Sequence, residues 1–210
     1  MTHFKIASAL IISLSVAACG GASDTSGTST GTPPAVSRIF DVTFPEGDDF
    51  AARTSSAQAT IDAFDTRNRM AVASTLPDGN GVYLGSTAIG VGSGDAASVV
   101  EGEIVLFVNF DTMFLNGQFQ NLSIDDLDGT VTPISDPIRI STAPIVSGRY
   151  LTTVSNDPFS VGGETARFDA KVDGAFVENG AGTIGVIDGS VTIGSAPSQS
   201  LAGVFSADKQ

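Results

Sequence analysis

The side chains of this 210-residue chain that could do chemistry are mostly acids. Asp125-Asp126-Leu127-Asp128-Gly129 clusters three carboxylates, and Asp169 and Asp173 stand four apart further on. Paired carboxylates are what general acid–base hydrolysis of a glycosidic bond needs. The 125–129 run could also offer oxygen ligands to calcium, although it lacks the spacing and the distal glutamate of an EF-hand loop. Tyr83 and Tyr150, the two tyrosines, could in principle hold a haem iron as tyrosinate. The single histidine, His3, and the single cysteine, Cys19, both precede residue 20. Beyond Cys19, Ser-His-Asp and Cys-His catalysis and the usual zinc, copper and haem ligation by His or Cys are therefore excluded. The acids sit at or near expected turns, where carboxylates are ordinarily solvated. No catalytic, cofactor-binding or metal-binding residue is assigned, and no cofactor is expected.

The elements that would position these residues are strands. Gly102 to Phe110 and Leu115 to Leu122 are apolar runs around a short break at Asp111-Thr112-Met113, the pattern of a hairpin. From Pro77-Asp78-Gly79-Asn80-Gly81 onward, strand patterns recur over 81–91, 98–110, 114–123, 130–141, 144–154, 165–176, 181–190 and 200–207. Glycine-rich turns separate β-branched and aromatic runs, which marks an all-β domain. Eight strands with hairpin-length connections predict an antiparallel up-and-down β-barrel, with a sandwich as the alternative because spacing does not decide closure. A Gly-x-aromatic unit recurs as Gly117-Gln118-Phe119, Gly148-Arg149-Tyr150, Gly174-Ala175-Phe176 and Gly203-Val204-Phe205. Glycine and ring share a strand face at that spacing, so these rings are expected in the core, with a ring free to lie over bare backbone.

Ahead of the strands, Phe50, Ala57, Ile61 and Phe64 fall near one helical face behind Asp48-Asp49, a suitable N-cap. This predicts a short helix over 50–64 that covers an end or a side of the sheet. Arg38 to Pro45 alternates like a short strand or extended segment.

The N-terminus reads as an address. Lys5 precedes an apolar run, Ile6 to Val16, too short to span a bilayer as a helix. Val16-Ala17-Ala18-Cys19 resembles the bacterial lipoprotein lipobox. That resemblance implies diacylglyceryl transfer to the Cys19 sulfur, cleavage between Ala18 and Cys19, and acylation of the new N-terminus with a fatty acid such as palmitate. An ordinary signal peptide followed by a chance free thiol is the alternative. Gly20 in place of aspartate implies outer-membrane sorting under the enteric rule. Residues 20–37 are nearly all Gly, Ser, Thr, Ala and Pro, a flexible tether with a reach of roughly 25 Å. The expected organisation is a signal peptide over 1–18, a lipidated tether over 19–37, a helical or extended segment over 38–76, and a barrel over 77–210. The chain carries a net charge of −13; loss of residues 1–18, which hold Lys5 and no acid, leaves 9 basic against 23 acidic residues, a net of −14. Such a surface repels phosphate backbones, so nucleic acid is not an expected partner.

Tyr83-Leu84-Gly85, the Gly102–Phe110 strand, Gly117-Gln118-Phe119, Gly174-Ala175-Phe176, Gly182-Thr183-Ile184-Gly185 and the terminal Gly203–Ala207 come in an order that resembles the β-barrel domain of transferrin-binding protein B and its small single-barrel lipoprotein relatives. The resemblance covers about residues 76–210. It implies a lipid-anchored envelope barrel that binds a protein or small solute through loops at one barrel end, without catalysis. It also implies an outer-membrane transporter as a partner, and a monomer is expected. Transferrin-binding protein B is a much longer two-lobed protein, and its transferrin-contacting loops have no counterpart here, so transferrin binding is not carried over. The lipocalin signature Gly-x-Trp is ruled out, because the chain has no tryptophan. A structural or assembly-factor lipoprotein and, more remotely, a carboxylate-based hydrolase are the competing readings.

Overall fold

Alternation of apolar and polar residues carries the chain from Asn80 to Lys209 through one antiparallel sheet of ten strands. The computed structural model describes residues 38–42, 54–92, 98–126 and 130–210. The strands are β1 (Asn80–Val91), β2 (Ser98–Asn109), β3 (Phe114–Asp125), β4 (Val131–Pro133), β5 (Ile138–Pro144), β6 (Arg149–Thr153), β7 (Phe159–Val161), β8 (Glu164–Val177), β9 (Gly182–Ile193) and β10 (Gln199–Lys209). In β8 the period of two is plain. Ala166, Phe168, Ala170 and Val172 are buried, while Arg167, Asp169 and Lys171 face out.

Ten strands make eight staves. β4 and β5 both pair with β3, and β6 and β7 both pair with β8, so each couple is one interrupted stave. The eight staves match the eight expected. They run as a meander in which β1 returns to pair with β10, Tyr83 opposite Lys209 and Val91 opposite Leu201. The ladder is not closed. Between the two interrupted staves the described backbone pairs only at isolated bridges, Ile134 with Val161 and Ile140 with Val154, and the Thr152 hydroxyl donates to the Ser141 carbonyl at 2.7 Å.

One face of the sheet holds the main core, with Tyr83, Ile104, Leu106, Phe119, Phe176 and Phe205 almost wholly buried. All four rings of the Gly-x-aromatic units are buried as expected. Two rings do lie over bare backbone: Tyr150 covers its cross-strand partner Gly174, and Phe205 covers Gly185. Gly148 departs from the pattern. It was expected inside a strand over 144–154, but β5 ends at Pro144, and Gly148 lies in the turn before β6 with φ +74. There its backbone runs against the Ala73 carbonyl, and an added Cβ would stand 2.6 Å from that oxygen.

The helix α1 spans Ser55–Asn68. Its N-cap is Thr54, whose Oγ1 accepts from the Ala57 N–H at 3.0 Å. The expected start near Phe50, capped by Asp48 or Asp49, is therefore too early, and those residues lie outside the described ones. The expected end at Phe64 is too early as well. Asn68 holds the last turn: its Nδ2 donates to the Phe40 carbonyl at 2.9 Å, and its Oδ1 accepts from the Phe40 N–H at 2.8 Å. Ala57, Ile61 and Phe64 form the buried stripe, as the spacing predicted. They pack on the outer face of the sheet, Phe64 stacking on Phe40 and joining Val204, Ile184 and Ala175 in a second cluster. Ala57 meets Ala88 and Val99. The helix covers a side of the barrel, not an end. Residues 38–42 are irregular, without strand pairing.

Candidate functional site in the barrel seam

Each interrupted stave breaks at the same dipeptide, Asp136-Pro137 in one and Asp157-Pro158 in the other. Proline has no N–H to give a ladder, so neither edge can continue its pairing through these points. The break falls between the two bridges, and a cavity of about 350 Å³ opens there. Asp136, Arg139, Ser155 and Asp157 supply its polar lining, and Ile138 and Phe159 its apolar part. The two prolines line it as well.

The walls are held in place. The Ser155 N–H donates to the Arg139 carbonyl at 2.7 Å, across the seam. The Ser155 hydroxyl donates to Asp157 Oδ2 at 2.7 Å, orienting that carboxylate. Ile138 and Phe159 are 3% and 5% exposed, so the floor belongs to the core. Phe159 rests on Phe168, with ring centroids 5.1 Å apart. The Arg139 side chain is exposed. Among the described residues it is the one arginine with no ion pair, hydrogen bond or ring contact of its side chain.

Among the described residues the core shows a small hollow. It holds about 10 Å³ and lies among Ile89, Phe119, Val154, Phe168, Ile187 and Leu201, all apolar. Toward the β1–β10 end, Tyr83, Phe110, Phe176 and Tyr150 stack edge to face or tilted, with neighbouring centroids 5.4 to 6.4 Å apart. The Tyr83 hydroxyl donates to the Gly180 carbonyl, and burial pushes its pKa up to about 12. The Tyr150 hydroxyl shares a hydrogen bond with Thr183 Oγ1 at 3.0 Å. Burial raises it further still, against the opposing effect of the Thr183 bond. Both phenols are engaged in the core, so haem ligation by tyrosinate finds no support in their placement.

The described acids singled out by sequence do not converge on a site. Asp125 ends β3, and Asp126 accepts from the Ser98 hydroxyl at 2.7 Å. Residues 127–129, with Asp128, lie outside the described residues, which leaves the calcium reading there without a described loop. Asp169 and Asp173 share the outer face of β8, roughly 13 Å apart along the strand at its usual rise. Burial raises the Asp173 carboxyl, while Arg149 works the other way. Among the described residues no three His, Cys, Asp or Glu side chains gather as a metal site. Glu101, not singled out by sequence, has a structural role. Thr54 Oγ1 donates to its Oε1 at the start of α1. Burial raises its carboxyl, hydrogen bonding to Ser56 opposes this, and Asp125 adds to it. Cys19 and Ala18 lie outside the described residues.

No known family profile matches the chain, and no curated protein matches it. Among solved structures, it is similar to a point mutant of the vaccine antigen transferrin binding protein B from Haemophilus parasuis Hp5. The TM-score is 0.47 and the identity 20%, over 66% of this chain. The chain spans only 28% of that protein's length.

The seam itself was missed by the sequence reading, which ran one strand from 130 to 141 straight through Pro137. A proline inside a strand pattern was the available signal, doubled by the second Asp-Pro at 157–158. The ligand-sized opening consequently lies in the barrel wall, whereas loops at a barrel end were the expected contact surface.

Proposed function

We propose that the chain is a lipid-anchored, non-catalytic binding module of a bacterial outer membrane, a small single-barrel lipoprotein of the transferrin-binding protein B kind. Cys19 holds it to the membrane, residues 20–37 tether it, and the barrel is a rigid scaffold. The observation that carries the binding role is the seam: an opening of about 350 Å³ with a free arginine and an apolar floor, against a hollow of about 10 Å³ in the core. The anchor rests on Val16-Ala17-Ala18-Cys19 and the tether behind it. The scattered acids favour binding over hydrolysis. Transferrin is not proposed as the ligand.

Radioactive palmitate labelling of cells that express the wild type and Cys19→Ser tests the anchor. Label on the wild type alone, with the variant released from membranes, is the expected result. A variant that stays labelled and membrane-bound overturns it.

A second reading is an assembly or structural lipoprotein without a small ligand. It is favoured by an apolar stretch on the outer face of β1 to β3, where Val82, Leu84, Phe107 and Phe114 are 39–47% exposed. Protease treatment of intact cells separates the two, since a solute- or host-binding module faces outward and a periplasmic assembly factor is protected.

A further inference from the structure

We propose that the seam binds a small zwitterion of amino-acid type, a free ammonium and a free carboxylate on one apolar body, with Arg139 taking the carboxylate and Asp136 and Asp157 the ammonium. The inference rests on the reading of the seam as a binding site and adds the class of ligand.

Three features of the cavity select that class. The first is Arg139. In a chain with a net charge of −13, the other described arginines are engaged, in ion pairs with acids, by backbone carbonyls or over a ring. Among the described arginines Arg139 alone keeps its fork of donors open, and it does so at the cavity. A guanidinium matches a carboxylate in bidentate geometry, and that pairing is among the stronger charge-assisted hydrogen bonds. The second is the pair of carboxylates on the same cavity, Asp136 on one wall and Asp157 on the other. They repel a phosphate or any ligand that is only anionic, and they attract an ammonium. Asp157 is held for this by the Ser155 hydroxyl on Oδ2, which leaves Oδ1 to accept. The third is the floor. Ile138 and Phe159 present apolar surface to a side chain, and the prolines beside them keep the walls from pairing over it. At about 350 Å³ the space is at the small end of ligand pockets, which run from roughly 300 to 1,000 Å³. That is room for a single amino acid and not for a folded partner.

Nuclear magnetic resonance titration of the full chain tests this, read at the backbone amides of Arg139, Ser155 and Phe159 and at the Arg139 side-chain N–H. The probes are L-leucine, N-acetyl-L-leucine, L-leucinamide and inorganic phosphate. L-Leucine is expected to shift these signals saturably. Loss of either charge, in N-acetyl-L-leucine or L-leucinamide, is expected to weaken binding about 10-fold or more, and phosphate to leave the signals in place. Arg139→Gln is expected to abolish the response to L-leucine. Its side chain is exposed and unpartnered, so the variant folds, as unchanged signals from β1 and β10 would show. Equal binding of N-acetyl-L-leucine, or a response to phosphate, overturns the zwitterion and leaves the seam as a site for anions. No response to any probe overturns both the ligand class and the seam as a small-solute site.

Discussion

Tyr150 and Gly174 face each other directly across β6 and β8, and the tyrosine ring occupies the space where a Cβ on Gly174 would stand. The ring then meets Phe176 at 5.5 Å, and its hydroxyl reaches Thr183. One missing side chain thus lets the fifth stave lay its aromatic over the backbone of the sixth. Gly174→Ala is expected to destabilise the fold by about 1–3 kcal/mol, the usual cost of overpacking a filled core. Urea unfolding followed by circular dichroism checks this through a lower midpoint at unchanged slope.

The two tyrosines make a clean optical test, because the chain has no tryptophan. Tyr83 is pushed up to about 12, and Tyr150 is raised as well, both by burial. Unfolded tyrosine ionises near 10. Between those values the native chain holds more protons than the unfolded one, so the stability present below pH 10 is lost as pH rises toward 12. Spectrophotometric titration should show no tyrosinate in the native protein near pH 10, then ionisation together with unfolding at higher pH. Two phenols titrating reversibly near 10 in the folded chain would show that the aromatic cluster is open to water.

Thr54 and Glu101 fasten the helix to the sheet. Thr54→Ala removes the cap and is expected to cost about 1 kcal/mol. Burial raises the Glu101 carboxyl, so its contribution has the opposite sign to that of a salt-bridged acid. Stability is full below the ordinary carboxyl range and declines as pH rises through the raised value. Glu101→Gln should flatten that decline, measured as thermal midpoints across the acid range.

The strands and the helical stripe were legible because each has a local period. The alternation over 166–172 and the spacing of Ala57, Ile61 and Phe64 are set by the backbone itself. The helix start was not legible in the same way. Asp48 and Asp49 are good caps by type, but Thr54 is the residue that meets Glu101 from β2, a contact 47 positions away in sequence. Gly148 has the right neighbour for a strand motif, yet its positive φ belongs to a turn that packs against Ala73. The seam depends on two Asp-Pro steps in different staves lying side by side, a coincidence that only the folded sheet displays. The proposed lipidation of Cys19 rests on the lipobox resemblance of Val16-Ala17-Ala18-Cys19.

Among the described residues the barrel opens at its seam, by about 350 Å³, while the hollow in its core holds about 10 Å³. A soluble paramagnetic probe added to the full chain measures this directly, through enhanced relaxation of individual amides. Strong enhancement is expected at Asp136, Arg139, Ser155 and Asp157, and little at Ile89, Phe119, Ile187 and Leu201, which surround the small apolar hollow. Seam amides as shielded as those interior ones, or interior amides relaxing as fast as the seam, would contradict it.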